Sequence, residues 1–285
     1  MTGHHSSEVP QSQTEHAPEA QTPTADAHGS SEHGRDDRVF PHDSIAESSM
    51  KEKLGELLEQ WPLSTPDLLD ALPLFLRRQQ MADLLSMDEL YRMVLDVPGV
   101  IMEFGVRHGR HLAAFTAMRG FREPHNPFRR VVGFDTFTGF PDVADVDRVS
   151  RSAVAGRFAL PTDYPEYLRR VVDAHAEGDA LAHITDRTMI VEGDVRETVP
   201  RYLADNPHTV VALAYFDLDI YEPTVAALRA VRPYLTRGSV LAFDEIDHPK
   251  WPGENLAVRE ALGLDHAALR LLPGRPAPAY LVWDG

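Results

Sequence analysis

From Gly99 onward, short apolar runs alternate with amphipathic stretches. Val100–Phe104, Arg130–Phe134, Met189–Val191, Val210–Phe216 and Val240–Phe243 read as five strands, too short and too continuous for helices. Helical spacing predicts helices at about Gly109–Arg122, Glu197–Ala204, Pro223–Leu235 and Leu256–Leu262 between and after them. Leu269–Leu272 and Tyr280–Trp283 read as late strands at one sheet edge. Strands that are apolar on both faces and alternate with helices predict a doubly wound α/β fold with a mostly parallel sheet. Upstream, Asp43 or Ser44 caps a predicted helix running to about Gln60, stopped by Trp61-Pro62. Ser64 caps a second, with Pro66 in its first turn and Leu68, Leu69, Leu72, Phe75 and Leu76 at helical spacing. A third spans Met81–Leu95, and all three are expected to pack on the core and cover its site.

Residues 1–38 break this rhythm: they hold no Leu, Ile, Phe, Tyr or Trp and cannot offset their ordering entropy. The expected organisation is therefore a disordered tail (1–38), a helical extension (39–98) and a catalytic domain (99–285). The 44 acidic and 28 basic residues give a net charge of −16, which argues against nucleic acid and anionic membrane as partners. With no cysteine, disulfides and thiolate chemistry are excluded. No apolar run reaches the ~20 residues of a membrane span, and the polar N-terminus is no secretory signal, so a cytoplasmic protein is expected.

In parallel sheets ligands bind beyond the carboxyl ends of the strands. Here an acid stands at each such end: Glu103, Asp135, Asp194, Asp217 and Asp244. Capping the following helices is the simplest use of such residues, but their surroundings are more specific. Glu103-Phe-Gly105-Val-Arg107-His-Gly109 offers glycines for a sharp turn and close approach to a ligand. A dinucleotide loop needs a second glycine where Arg107 stands, which favours a cofactor without pyrophosphate, such as S-adenosylmethionine. Asp135, with Thr136 beside it, is placed to accept ribose hydroxyls. Asp194 is either a helix cap or the acceptor of an adenine amino group, with Val195 against the ring.

After the fourth and fifth strands, Asp217, Asp244 and Glu245 would repel one another unless a cation lay between them. An all-oxygen set suits Mg²⁺, with Mn²⁺ or Ca²⁺ as alternatives. The long Thr136–Tyr164 segment and His248–Gly253 read as a lid. An NAD-dependent oxidoreductase and a non-enzymatic binding protein remain open at this point. So does a metal-dependent phenol O-methyltransferase.

From about Leu90 to Gly285 the chain resembles the macrocin O-methyltransferase family, the magnesium-dependent sugar O-methyltransferases of antibiotic biosynthesis. ALAYFDLDIYEPT at Ala212–Thr224 carries most of the likeness, supported by DTFTGFP at Asp135–Pro141 and WPGENLAV at Trp251–Val258. The resemblance implies a Rossmann-like methyltransferase fold and methyl transfer to a sugar hydroxyl of a glycosylated natural product. It implies that Asp217 binds the metal and is a candidate base, and that Asp244 and Glu245 complete the metal site. The chain departs from the family at Leu218, usually Gly, and at Glu245, usually Asp. His248 is the second candidate base, its ordinary pKa being nearer neutrality. A homo-oligomer, dimer or higher, is the expected assembly.

Overall fold

The computed structural model describes residues 45–265, 268–275 and 277–285. The tail expected at 1–38 and the cap expected at Asp43 or Ser44 lie outside these residues. Three helices come first: α1 (Ile45–Glu59), α2 (Thr65–Ala71) and α3 (Arg78–Met93). Ser64 caps α2 in a reciprocal capping box with Asp67. The stretch expected to continue this helix becomes a 3₁₀ turn, Leu72–Phe75, because Pro73 cannot donate to an α-helical ladder. Only α3 packs into the core as expected, through Met87, Leu90 and Tyr91. Helix α2 buries no residue, and Leu57, Leu63, Leu69, Leu72 and Leu74 lie exposed.

The remainder is a seven-stranded sheet flanked by helices. Its strands are β1 (Val100–Phe104), β2 (Val131–Asp135), β3 (Thr188–Glu192), β4 (Val211–Phe216), β5 (Leu235–Phe243), β6 (Arg270–Leu271) and β7 (Ala279–Val282). Their order is β3-β2-β1-β4-β5-β7-β6, parallel through β5 and antiparallel beyond. The late strands thus form one edge, as expected. Helices α4 (Arg110–Arg122), α6 (Val195–Asp205), α7 (Tyr221–Val231) and α8 (Gly253–Ala261) follow their strands. A further helix, α5 (Tyr164–Glu177), was not expected; it buries Pro165, Leu168 and Val172. Among the described residues no helix is long and apolar enough to cross a membrane.

Chain order reverses between β1 and β4, which opens a crevice above their carboxyl ends. A row of phenylalanines levels those ends. Phe134 stacks on Phe104, Phe104 on Phe216 and Phe216 on Phe243, at centroid separations of 5.4, 4.9 and 4.9 Å. The strands pair in that same register, so Asp135, Asp217 and Asp244, each following its phenylalanine, come out in one line above a fixed apolar floor.

Candidate active site

A cleft with about 1310 Å³ of empty space, counted to its open mouth, lies over this line of acids. One end is formed by Gly105–His108, Asp135, Thr136, Asp194 and Val195. The other is formed by Asp217–Ile220, Asp244, Glu245 and Trp251. Most of the expected cofactor residues and all three expected metal residues therefore face one space.

Gly105 joins the two ends. It has φ +95°, and a Cβ there would lie 1.8 Å from the Asp217 carbonyl oxygen, so only glycine lets the loop after β1 pass beneath the loop after β4. Across the same seam the Asp217 N–H donates to the Phe104 carbonyl at 2.8 Å. Gly109, at the N-cap of α4, lies against Leu168 and does not line the cleft. Asp135 holds the glycine loop: Oδ2 accepts from the Arg107 N–H at 2.7 Å and Oδ1 from the Phe137 N–H at 2.6 Å. The carboxylate also lines the cleft. The Thr136 hydroxyl donates to the Gly139 carbonyl at 2.7 Å and fixes the turn below it. Asp194 is the N-cap of α6, accepts from the Arg196 N–H at 2.9 Å, and pairs with the Arg196 guanidinium at 2.6 Å. The capping alternative is thus met, and Asp194 lines the cleft as well. Glu103 lies fully buried beneath the cleft and does not line it.

Its partner, His111, is a residue that nothing in the sequence singled out. His111, in the first turn of α4, is 3% exposed. Its Nδ1 lies 3.5 Å from Glu103 Oε1 and 3.8 Å from Asp217 Oδ2, and its Nε2 lies 3.3 Å from Asp83 Oδ2. Burial opposes its charge, but Asp83 and Glu103 outweigh that and raise its pKa to about 10. Arg110 joins the group through Asp83 at 3.2 Å. Sequence gave little signal for His111, since it stands among other basic residues in Arg107-His-Gly-Arg-His111 and reads as surface.

Asp217 is buried toward the cleft floor, and its pKa is raised well above the carboxylate range by burial and by Asp244 and Asp219, against the pull of His111 and Arg110. Asp244 Oδ1 accepts from the Tyr215 hydroxyl at 3.0 Å. Burial, with repulsion from Asp219 and Asp244, pushes Glu245 up to about 11, and its Oε2 accepts no hydrogen bond among the described residues. These donors suit a hard cation chemically. As the side chains stand, however, no group of three Asp, Glu or His residues among the described residues is gathered closely enough to hold a metal ion. His248 sits at the rim, Nδ1 3.6 Å from Glu245 Oε2, and does not line the cleft. A second unanticipated residue, Glu254 on α8, ties the acidic loops together. Its Oε1 accepts from the Leu218 N–H at 3.2 Å and its Oε2 from the Glu245 N–H at 2.9 Å.

The roof comes from residues 136–160, which line the cleft through Gly139–Pro141, Arg157, Phe158 and Leu160. Phe140, Phe158 and Trp251 pack edge-on or tilted, with centroids 5.4–6.4 Å apart. Asp147 anchors this segment: both its oxygens accept from the Tyr221 N–H at 3.1 Å, at the start of α7. The segment expected to be a lid, and Trp251 with it, thus stand over the acids.

A family model described as a methyltransferase domain matches residues 102–246. The crystal structure of CalS11, the calicheamicin methyltransferase, is 67% identical, with a TM-score of 0.84 over 90% of this chain and 99% of that one. The apo structure of CalS11, described as a TDP-rhamnose 3′-O-methyltransferase of calicheamicin biosynthesis, is 62% identical, with a TM-score of 0.76 over 85% and 96%. The O-methyltransferase NovP shares the fold at 20% identity, with a TM-score of 0.56 over 71% and 80%. No match to the chain is found among curated protein sequences.

Proposed function

The chain belongs to the methyltransferase family, and from that premise we propose that it transfers a methyl group from S-adenosylmethionine to a sugar hydroxyl in the making of a glycosylated natural product. One observation carries the reading: the glycine-loop end and the acidic end of a single cleft meet at Gly105 and Asp217, so donor and acceptor sites adjoin. The similarity to CalS11 favours a sugar still linked to its nucleotide as the acceptor, over one already attached to the product. A phenol acceptor would use the same residues and is the second reading.

The cofactor end fits a cationic ligand, with Gly105 open to it, Asp135 and Asp194 as acceptors, and Val195 as an apolar face. Thr136 and Gly109 shape that end, and Glu103 supports it through His111. Bound there, S-adenosylmethionine supplies an electrophilic methyl on sulfur. Asp217 takes the proton from the acceptor hydroxyl as the new C–O bond forms and the S–C bond breaks, leaving S-adenosylhomocysteine and the methyl ether. Asp217 is favoured as the base by position, since it faces the cleft whereas His248 stands off it. Asp217, Asp244 and Glu245 would hold a divalent ion, Mg²⁺ first, which would acidify and orient the acceptor hydroxyl. A cytoplasmic homo-oligomer completes the proposal; the exposed leucines of α1 and α2 support a subunit contact there, to be tested by sedimentation.

The test is incubation with S-adenosylmethionine, Mg²⁺ and TDP-rhamnose, read by mass spectrometry. One added methyl on the sugar is expected. Methylation of catechols with none on any sugar nucleotide would favour the second reading.

A further inference from the structure

The cleft is electrically divided. Its floor carries Asp217, Asp244 and Glu245, yet its roof presents an arginine that no carboxylate answers among the described residues. The cations near the floor are engaged, Arg110 by Asp83 and His111 by Glu103 and Asp83. Arg157 forms no ion pair among the described residues and lines the cleft. Its guanidinium carbon lies 5.2 Å from the centre of the Phe158 ring, and that of Arg107 lies 4.4 Å from the same centre. Two guanidinium groups thus share one aromatic side chain, which holds the Arg157 fork against the cleft wall.

This wall is built rather than incidental. Phe158 has φ +69° and Arg107 φ +46°, both in the left-handed region that bulky residues avoid. The Phe140 N–H donates to the Arg157 carbonyl at 3.2 Å, the Gly156 N–H to Phe140 at 2.9 Å and the Leu160 N–H to Phe137 at 2.9 Å. A Cβ on Gly139 would lie 2.3 Å from the Arg157 carbonyl oxygen, so the two strands of the roof are in direct backbone contact there. The Arg107 N–H is spent on Asp135, while its side chain turns onto Phe158.

We propose that Arg157, backed by Phe158 and Arg107, binds the diphosphate of a sugar-nucleotide acceptor and selects it over a free sugar or neutral glycoside. This rests on the sugar O-methyltransferase reading above. A neutral sugar would be served by the acidic floor alone, whereas a sugar diphosphate needs both a floor for hydroxyls and a cationic wall. The planar guanidinium fork matches phosphate oxygens two at a time.

The test is calorimetric titration of thymidine diphosphate into the full chain saturated with S-adenosylhomocysteine, in wild type, Arg157→Ala and Arg157→Lys. Arg157→Ala should weaken thymidine diphosphate about tenfold or more, the scale of a lost charged hydrogen bond. S-adenosylhomocysteine affinity should stay within about twofold, and Arg157→Lys should recover part of the loss, because lysine keeps the charge without the fork. In turnover, the KM for TDP-rhamnose should rise with kcat kept, and a neutral rhamnoside should show no change. Unchanged diphosphate affinity in Arg157→Ala overturns the inference, as does an equal loss of S-adenosylhomocysteine, which would assign the arginine to the cofactor. A wild type that binds S-adenosylhomocysteine but neither binds thymidine diphosphate nor methylates TDP-rhamnose would remove the acceptor reading itself, and this inference with it.

Discussion

Replacing Glu254 should disturb chemistry and stability together, although we assign it no contact with a reacting atom. The side chain is fully buried and accepts from two backbone N–H groups, those of Leu218 and Glu245, each next to a proposed site acid. Glu254→Ala strands both donors. A buried donor left unsatisfied costs about 1–3 kcal/mol, giving roughly 2–6 kcal/mol for the pair. Part of this is offset, because burial and repulsion from Asp244 and Asp217 hold the Glu254 carboxyl pKa far above its ordinary range. A net loss of about 2–3 kcal/mol corresponds to a fall in Tm of roughly 4–12 °C for a domain of this size. Glu254→Gln keeps one acceptor and should lose about half as much. Thermal denaturation followed by circular dichroism reads the first effect, and turnover against S-adenosylhomocysteine affinity reads the second. kcat should fall well beyond the change in cofactor Kd, since the displaced loops carry Asp217 and Glu245. Stability within about 0.5 kcal/mol of wild type, together with unchanged turnover, would refute the latch.

Asp217→Asn should abolish most turnover while S-adenosylhomocysteine binds nearly as in wild type; EDTA should likewise stop turnover and Mg²⁺ restore it, and full activity in EDTA would remove the ion from the proposal. Gly105→Ala should cost more than ~2 kcal/mol and weaken cofactor binding, because its Cβ meets the Asp217 carbonyl, whereas Gly55→Ala, with nothing within 4 Å on α1, should stabilise by ~0.5–1 kcal/mol in the same melt. Burial, with repulsion from Glu222, raises the Asp147 pKa from 3.8 to about 6. Its folded value thus exceeds its unfolded one, so its contribution is full below about pH 4 and lost as pH rises through about 6. Asp147→Asn should flatten the stability profile across that window in urea titrations, and an unchanged slope would count against the roof anchor.

Strands β1, β2 and β4 were legible because burial on both faces leaves them apolar up to the acids at their carboxyl ends. The carboxyl ends of β1, β2, β4 and β5 fall within a residue of the reading, and those ends place the site. Where burial is partial the pattern fades. Leu235–Ser239 pairs with β4 in part but includes Thr236, Arg237 and Gly238, so the apolar pattern of β5 starts only at Val240. Helix α5 is a different case: its apolar residues do recur at helical spacing, but it follows directly on the long segment expected to be a lid. The apolar face of α2 was visible, but periodicity names a face without saying what covers it. Among site residues, acids at strand ends could be read from position alone. His111 and Glu254 could not, since their meaning depends on which loops the fold carries past them. The reverse holds for His248, whose chemistry suggested a base and whose position lies off the cleft.

The roof has a further consequence for how such an enzyme diversifies. Apart from Arg107 and Trp251, what we assign to acceptor choice beyond the acids comes from one uninterrupted stretch, Gly139 through Leu160, between β2 and α5, closed on itself by its own backbone bonds. The donor side, by contrast, is interlocked with the base through Gly105 and Asp217. Recombination between homologues at the two ends of that stretch would therefore exchange the substrate repertoire as a cassette, leaving the methyl-donating half untouched. A library confined to this stretch should yield active chimeras far more often than one of equal size spread over the glycine loop.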